Sequence, residues 1–176
     1  MRRAACISAA ATLSLLAAAC SSSSPPSGTA SSPAAGTETF YGTTPSTANH
    51  PTIPLKATGL FTDTGSIHLT GGNGAGTGVL KLTRGTLTVQ HSKNHNGPSS
   101  VNKATCQVKF SVTGTFKVLS GTGAYKGTTG AGTYLVTFGG TLPKKPDGKC
   151  NLANNAAPVN GTSLTTFKAT GPLTAR

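Results

Sequence analysis

From residue 51 onward the chain alternates apolar and polar side chains in short runs punctuated by glycine. Ile53, Leu55, Ala57, Gly59 and Phe61 share one parity, and Ile67 and Leu69 repeat it after a turn signal at Thr64-Gly65. Cys106, Val108, Phe110, Val112, Phe116 and Val118 alternate with Gln107, Lys109, Ser111, Thr113, Thr115 and Lys117. That spacing predicts one long strand with a buried face and a wet face, interrupted at Gly114. Tyr134, Val136 and Phe138 continue the theme, as do Phe167 and Ala169. No stretch carries apolar residues at a spacing of 3.6, so the pattern predicts an all-β domain over residues 51–176.

One segment breaks the rule. Leu80 and Leu82 have the opposite parity to Leu87 and Val89, so an extra residue must be absorbed if both pairs face one core. A β-bulge at Arg84-Gly85 is the expected device. Glycine supplies 23 of 176 residues, about twice its usual share, and much of it falls inside strand patterns. Glycine weakens a strand unless the sheet must coil sharply. The expectation is therefore a small antiparallel β-barrel of about eight strands, with a two-sheet sandwich as the alternative.

The first fifty residues read differently. Met1-Arg2-Arg3 precedes a short uncharged apolar stretch, Ala4 to Leu16, and Ala17-Ala18-Ala19 leads to Cys20. The apolar stretch is too short to span a bilayer and has the layout of an export signal over residues 1–19. Residues 21–50 are rich in Ser, Pro, Thr, Ala and Gly, with Phe40 and Tyr41 their only large apolar side chains. Such a composition cannot bury enough surface to offset ordering, which predicts a disordered tether over 20–50. Phe40-Tyr41 either pins the end of that tether to the domain or begins a first short strand.

Export gives the cysteines their meaning. Cys6 lies in the signal and Cys20 is a candidate lipid site, which leaves Cys106 and Cys150 as one even pair in an oxidising compartment, and a disulfide between them is expected. Neither has a CxxC partner or a neighbouring His, so a thiolate metal site or nucleophile is disfavoured. The chain carries a net charge of +12; without Arg2 and Arg3, 13 basic side chains face three acids, Glu38, Asp63 and Asp147, a net +10. That balance attracts anionic headgroups and wall polymers. The basic residues are spread singly, with only Lys144-Lys145 adjacent, and aromatics make up 5% with no Trp. Base stacking has little to work with, so no nucleic-acid partner is expected.

No segment carries a recognisable catalytic set. The run Ser120-Gly121-Thr122-Gly123-Ala124-Tyr125-Lys126-Gly127-Thr128-Thr129-Gly130-Ala131-Gly132-Thr133 fails the GxGxxG spacing, and no helix pattern follows it to hold a phosphate. It reads as a tight turn joining two long strands, with Tyr125 packing at the barrel end. His91 and His95 are four apart, but loop residues surround them, and in a loop that spacing aligns nothing. His68 falls at a polar position and His50 in the tether. Asp63-Thr64-Gly65 and Pro146-Asp147-Gly148 are turn signals, in which Asp caps its own backbone. No metal, cofactor or catalytic residue is expected.

Two resemblances add to this reading. Leu16-Ala17-Ala18-Ala19-Cys20 resembles a bacterial lipobox, in which the cysteine receives a diacylglyceryl group; Ala17-x-Ala19 also fits an ordinary signal-peptidase site, which would release a soluble secreted protein. The Gly-rich run between its two strands, about residues 104–140, resembles the repeated turn of the allene oxide cyclase-like and dirigent-like β-barrels. Many small exported actinobacterial proteins carry a similar segment. The second resemblance implies an eight-stranded antiparallel barrel with a cavity at one mouth. In the plant enzymes that cavity holds an apolar fatty-acid-derived or phenolic intermediate, with polar or acidic groups at the rim. No catalytic residue of theirs can be carried over here.

These observations lead to a non-catalytic envelope lipoprotein, anchored through Cys20 at the outer face of the cytoplasmic membrane and presenting a basic barrel to anionic wall or lipid components. The alternative is a barrel that binds a small apolar ligand, or a cyclase or isomerase acting on one. Its cavity would be lined by Phe110, Phe116, Tyr134 and Phe138.

Overall fold

The computed structural model describes residues 33–45, 52–68, 74–153 and 156–176. The export signal and Cys20 lie outside the described residues. Ten strands follow in chain order: β1 (Ala34–Pro45), β2 (Thr52–Gly59), β3 (Asp63–His68), β4 (Gly76–Leu82), β5 (Gly85–His91), β6 (His95–Asn96), β7 (Ser100–Asn102), β8 (Gln107–Gly121), β9 (Thr129–Thr141) and β10 (Leu164–Ala175). Among the described residues the one helical element is a 3-10 turn at Gly123–Tyr125. No helix among them is long and apolar enough to cross a membrane.

Eight of these strands form an antiparallel sheet in the order β5-β4-β3-β2-β1-β10-β9-β8, and β5 pairs back onto β8. That last ladder decides between the two expected architectures: the sheet closes on itself and is a barrel, not a sandwich. Closure leaves no main-chain edge along the paired portions. The barrel encloses a single core that includes Phe40, Ile53, Leu55, Ile67, Leu87, Phe116, Tyr134 and Phe167. β8 runs on past the closure. Its last partner on β5 is His91, opposite Phe116; nearer its start the same edge is covered by β6 and β7.

The strand glycines have a packing role. Gly114 lies opposite Tyr134 and Gly132 opposite Phe116 in the β8–β9 ladder. A Cβ on Gly114 would come within 2.7 Å of Tyr134 Cε1, and one on Gly132 within 2.7 Å of Phe116 Cε1. Each aromatic ring therefore lies across the glycine of its cross-strand partner, so both rings stay inside a narrow barrel.

Three expectations need correction. The tether does not extend to residue 50: Ala34–Pro45 is a full barrel strand paired with β10 along its whole length. Its inward positions are Glu38, Phe40 and Gly42, so only one of them carried an apolar signal. The parity change after Leu82 does not come from a bulge. Leu82 pairs with Gly85 around the two-residue turn Thr83-Arg84, and a tight hairpin returns both strands to the core in register. The extra residue sits elsewhere, on β8, where Leu119 is unpaired between Val118 and Ser120 and half-exposed. Lastly, Thr64-Gly65 lies inside β3; the chain turns at residues 60–62 instead. Asp63 and Gly65 occupy inward positions of β3, which hid the alternation.

Candidate functional site

The three acids of the domain are withdrawn from solvent or paired. Asp63 does not cap a turn; it faces into one end of the barrel with a side chain 4% exposed. The Tyr125 hydroxyl donates to Oδ2 and the Thr83 hydroxyl to Oδ1. The backbone N–H groups of Thr64 (2.7 Å) and Arg84 (3.2 Å) also donate, and the Arg84 guanidinium lies 3.5 Å away. Hydrogen bonds from Thr83 and Tyr125 hold the Asp63 carboxyl far below its ordinary 3.8. In turn, burial and the neighbouring carboxylate push the Tyr125 phenol up to about 12. Tyr125 reaches this position through the Gly-rich turn between β8 and β9, and its ring packs at a tilt against Phe61 at 4.7 Å between centroids.

Glu38, expected in the tether, is an inward residue of β1 and fully buried. Oε2 accepts from the Phe61 N–H at 3.0 Å, while Oε1 has no partner in the protein. Burial raises its pKa above the ordinary 4.5. Asp147 behaves as the turn signal predicted: it accepts from Lys149 N and pairs with Lys149 Nζ at 3.6 Å.

The two buried carboxyls pull stability in opposite directions with pH. Asp63 binds its proton more weakly folded than unfolded, so its contribution is present above 3.8 and lost as pH falls below it. Glu38 binds its proton more strongly when folded, so its contribution is present below 4.5 and lost as pH rises through its folded pKa. Glu38→Gln, which cannot ionise, is expected to gain thermal stability over the wild type progressively between about pH 4.5 and 7. Melting both proteins across that range tests this; a constant difference would rule out the titration of Glu38.

With the acids inside or paired, the exterior is basic. Among the described residues only Arg84 and Lys149 form ion pairs. On the outer face of β1, β10, β9 and β8, Lys168 and Lys109 lie among apolar side chains. Register places Lys56, Tyr41, Lys168 and Leu135 in one row across β2, β1, β10 and β9. Tyr41 is 50% exposed. Along this face runs a groove of about 910 Å³, lined by Tyr41, Val101, Lys109, Leu135, Leu164 and Lys168 among others. Thr137 and Thr166, paired across β9 and β10, also line it, as does Gly139 opposite Leu164. No acidic side chain lines it.

The residues singled out from sequence are distributed as follows. Cys106 and Cys150 are bonded, with Cα atoms 5.3 Å apart, and tie the excursion after β9 to the turn before β8. Phe116 and Tyr134 belong to the packed core, at 6% and 9% exposure. Phe110 does not face an enclosed interior; it is 54% exposed and stacks on the half-buried Phe138 at 5.1 Å. The reason is the overrun of β8: Phe110 has inward parity but lies beyond the point where β5 closes the barrel. Near that mouth Tyr134 donates to Asn94 Oδ1 and to Ser92 O (3.3 Å), with the His91 ring edge-on at 6.3 Å. His68 bonds Thr52, and His95 is exposed on β6. No three His, Cys, Asp or Glu among the described residues are grouped to hold a metal.

Sequence reasoning missed Tyr41, Leu135 and Leu164 as surface features. A signal was there: Leu135 lies between the inward Tyr134 and Val136, and Tyr41 follows the inward Phe40, so both are large apolar residues at wet-face positions. No family model matches the chain, nor does any curated protein or solved structure.

Proposed function

We propose that this chain is a non-catalytic envelope lipoprotein, anchored through Cys20, that holds a basic β-barrel against anionic wall or lipid components. One observation supports this role above all: Glu38 and Asp63 are buried and Asp147 is paired, so the 13 basic side chains of the mature chain meet almost no free acidic group at the surface. A surface whose charge is almost all of one sign raises the local concentration of counter-charged polymers and speeds their capture. The lipobox-like run and the short Ser/Pro-rich segment 21–33 supply the anchor and its tether in this reading. That keeps the barrel close to the anionic surface it is proposed to meet.

The test is co-sedimentation of the mature protein with isolated anionic wall polymer and with vesicles of one part phosphatidylglycerol to three parts phosphatidylcholine. Binding is expected at low salt and should fall steeply as sodium chloride is raised toward 0.5 M. No binding at low salt, or binding indifferent to salt, would remove the anionic-partner role. Intact mass of the protein from its own membranes tests the anchor: an added diacylglyceryl group on a chain beginning at Cys20 is expected, and a soluble chain without it would make the protein a secreted one.

A further inference from the structure

We infer that the outer groove over β1, β10, β9 and β8 is a binding site for an acidic glycan, a chain of sugar rings bearing anionic groups. This rests on the basic-surface reading above and goes further by naming the site and the ligand class. Three features of the groove select that ligand. Tyr41 presents a half-exposed ring flanked in cross-strand register by Lys168, which lines the groove, and by Lys56 on β2 just outside it. A sugar's C–H face packs on the electron-rich face of such a ring while its anionic substituents reach an ammonium on either side. The floor beyond Tyr41 offers the hydroxyls of Thr166 and Thr137, suited to sugar hydroxyls. Lys109 stands at the far end, two strands and two pleats from Lys168, a separation of roughly 15 Å. The groove is therefore elongated, with charge at both ends and neutral polar groups between.

Gly139 is the second clue. Unlike Gly114 and Gly132, it has ordinary space for a Cβ: the nearest atom would be Val108 O at 3.6 Å. Its backbone does not require glycine, and no ring lies across it. What its missing side chain does is keep the floor low. The volume of about 910 Å³ lies within the usual ~300–1,000 Å³ span of ligand sites.

Other occupants fit less well. A second copy carries the same positive charge and would be repelled. The chain's own residues 21–33 contain no acid and no aromatic side chain, so they complement neither the lysines nor Tyr41. A bilayer surface is broad, whereas this face is concave.

The experiment is a titration of the mature protein with fluorescently labelled hexagalacturonate, its neutral methyl ester, and the same phosphatidylglycerol vesicles. Wild type is expected to bind the acid and not the ester. Tyr41→Ala, Lys168→Gln and Gly139→Val should each weaken binding about tenfold, equivalent to about 1.4 kcal/mol. Lys81→Gln on the outer face of β4, outside the groove, should change it far less, with thermal melts confirming that every variant is folded. Equal losses for Lys81→Gln and Lys168→Gln would overturn the groove and leave diffuse charge attraction standing. Binding to vesicles alone would overturn the glycan and leave the lipid part of the proposed role. No binding to either probe at low salt would overturn both readings.

Discussion

Tyr125→Ala is expected to cost the barrel about 3–5 kcal/mol, the range for deleting a large buried aromatic side chain. Tyr125 is 2% exposed and closes one end of the core, with its ring packed at a tilt against Phe61, which in turn meets Phe40 at 6.1 Å. Truncation leaves a cavity among rigid strands that cannot collapse into it, and it strips Asp63 of a hydroxyl donor. Tyr125→Phe separates the two effects: packing survives, the donor is lost, and a smaller destabilisation follows. Denaturant unfolding of the three proteins measures both. If alanine and phenylalanine cost the same, the hydrogen bond to Asp63 dominates; if alanine costs under about 1 kcal/mol, Tyr125 does not plug the barrel.

Loss of the Cys106–Cys150 disulfide is the second large effect. The bond spans a sequence separation of 44, for which loop-closure entropy gives about 4 kcal/mol. Domain stabilities of about 5–15 kcal/mol make that a major fraction. Inside this span lie all of β8 and β9, so the bond shortens the search for the longest hairpin in the barrel. At its C-terminal end it holds the irregular segment after β9, where Lys144 and Cys150 form a lone bridge and Leu142 N donates to Cys106 O at 2.9 Å. Cys106→Ala/Cys150→Ala is expected to lower the denaturation midpoint accordingly, and reductant should shift the wild type to the same value. A shift under about 1 kcal/mol in either comparison would mean that the reduced unfolded chain already keeps the two ends of this hairpin close.

How much of this was legible in the sequence differs from strand to strand. β8, β9 and β10 could be read directly, because their inward positions hold Val, Phe, Tyr and Ala against outward Thr and Lys. β1 could not, since it turns Glu38 and Gly42 inward and depends on Phe40 alone. β3 was obscured in the same way by Asp63 and Gly65. Both inward acids lie on these two strands, so the polar groups that interrupted the pattern are the ones the fold withdraws from its surface. The hairpin at Thr83-Arg84 imitated a bulge because a two-residue turn and a one-residue insertion change parity alike.

Alternation and an even cysteine pair were enough to determine an all-β domain with a disulfide, because a period of two leaves each strand one face to bury; glycine content favoured a barrel over a sandwich, and the β5–β8 ladder decided it. Net charge came from counting. Where that charge lies was decided only by the closed tertiary structure. Register across four strands brings Lys56, Tyr41, Lys168 and Leu135 into one row from residues up to 127 positions apart in the chain. Closure also determined that Phe116 and Tyr134 fill the interior while Phe110, of the same parity, stands outside it. Parity states which side of a strand a residue faces; only the neighbouring strands decide whether that side is enclosed.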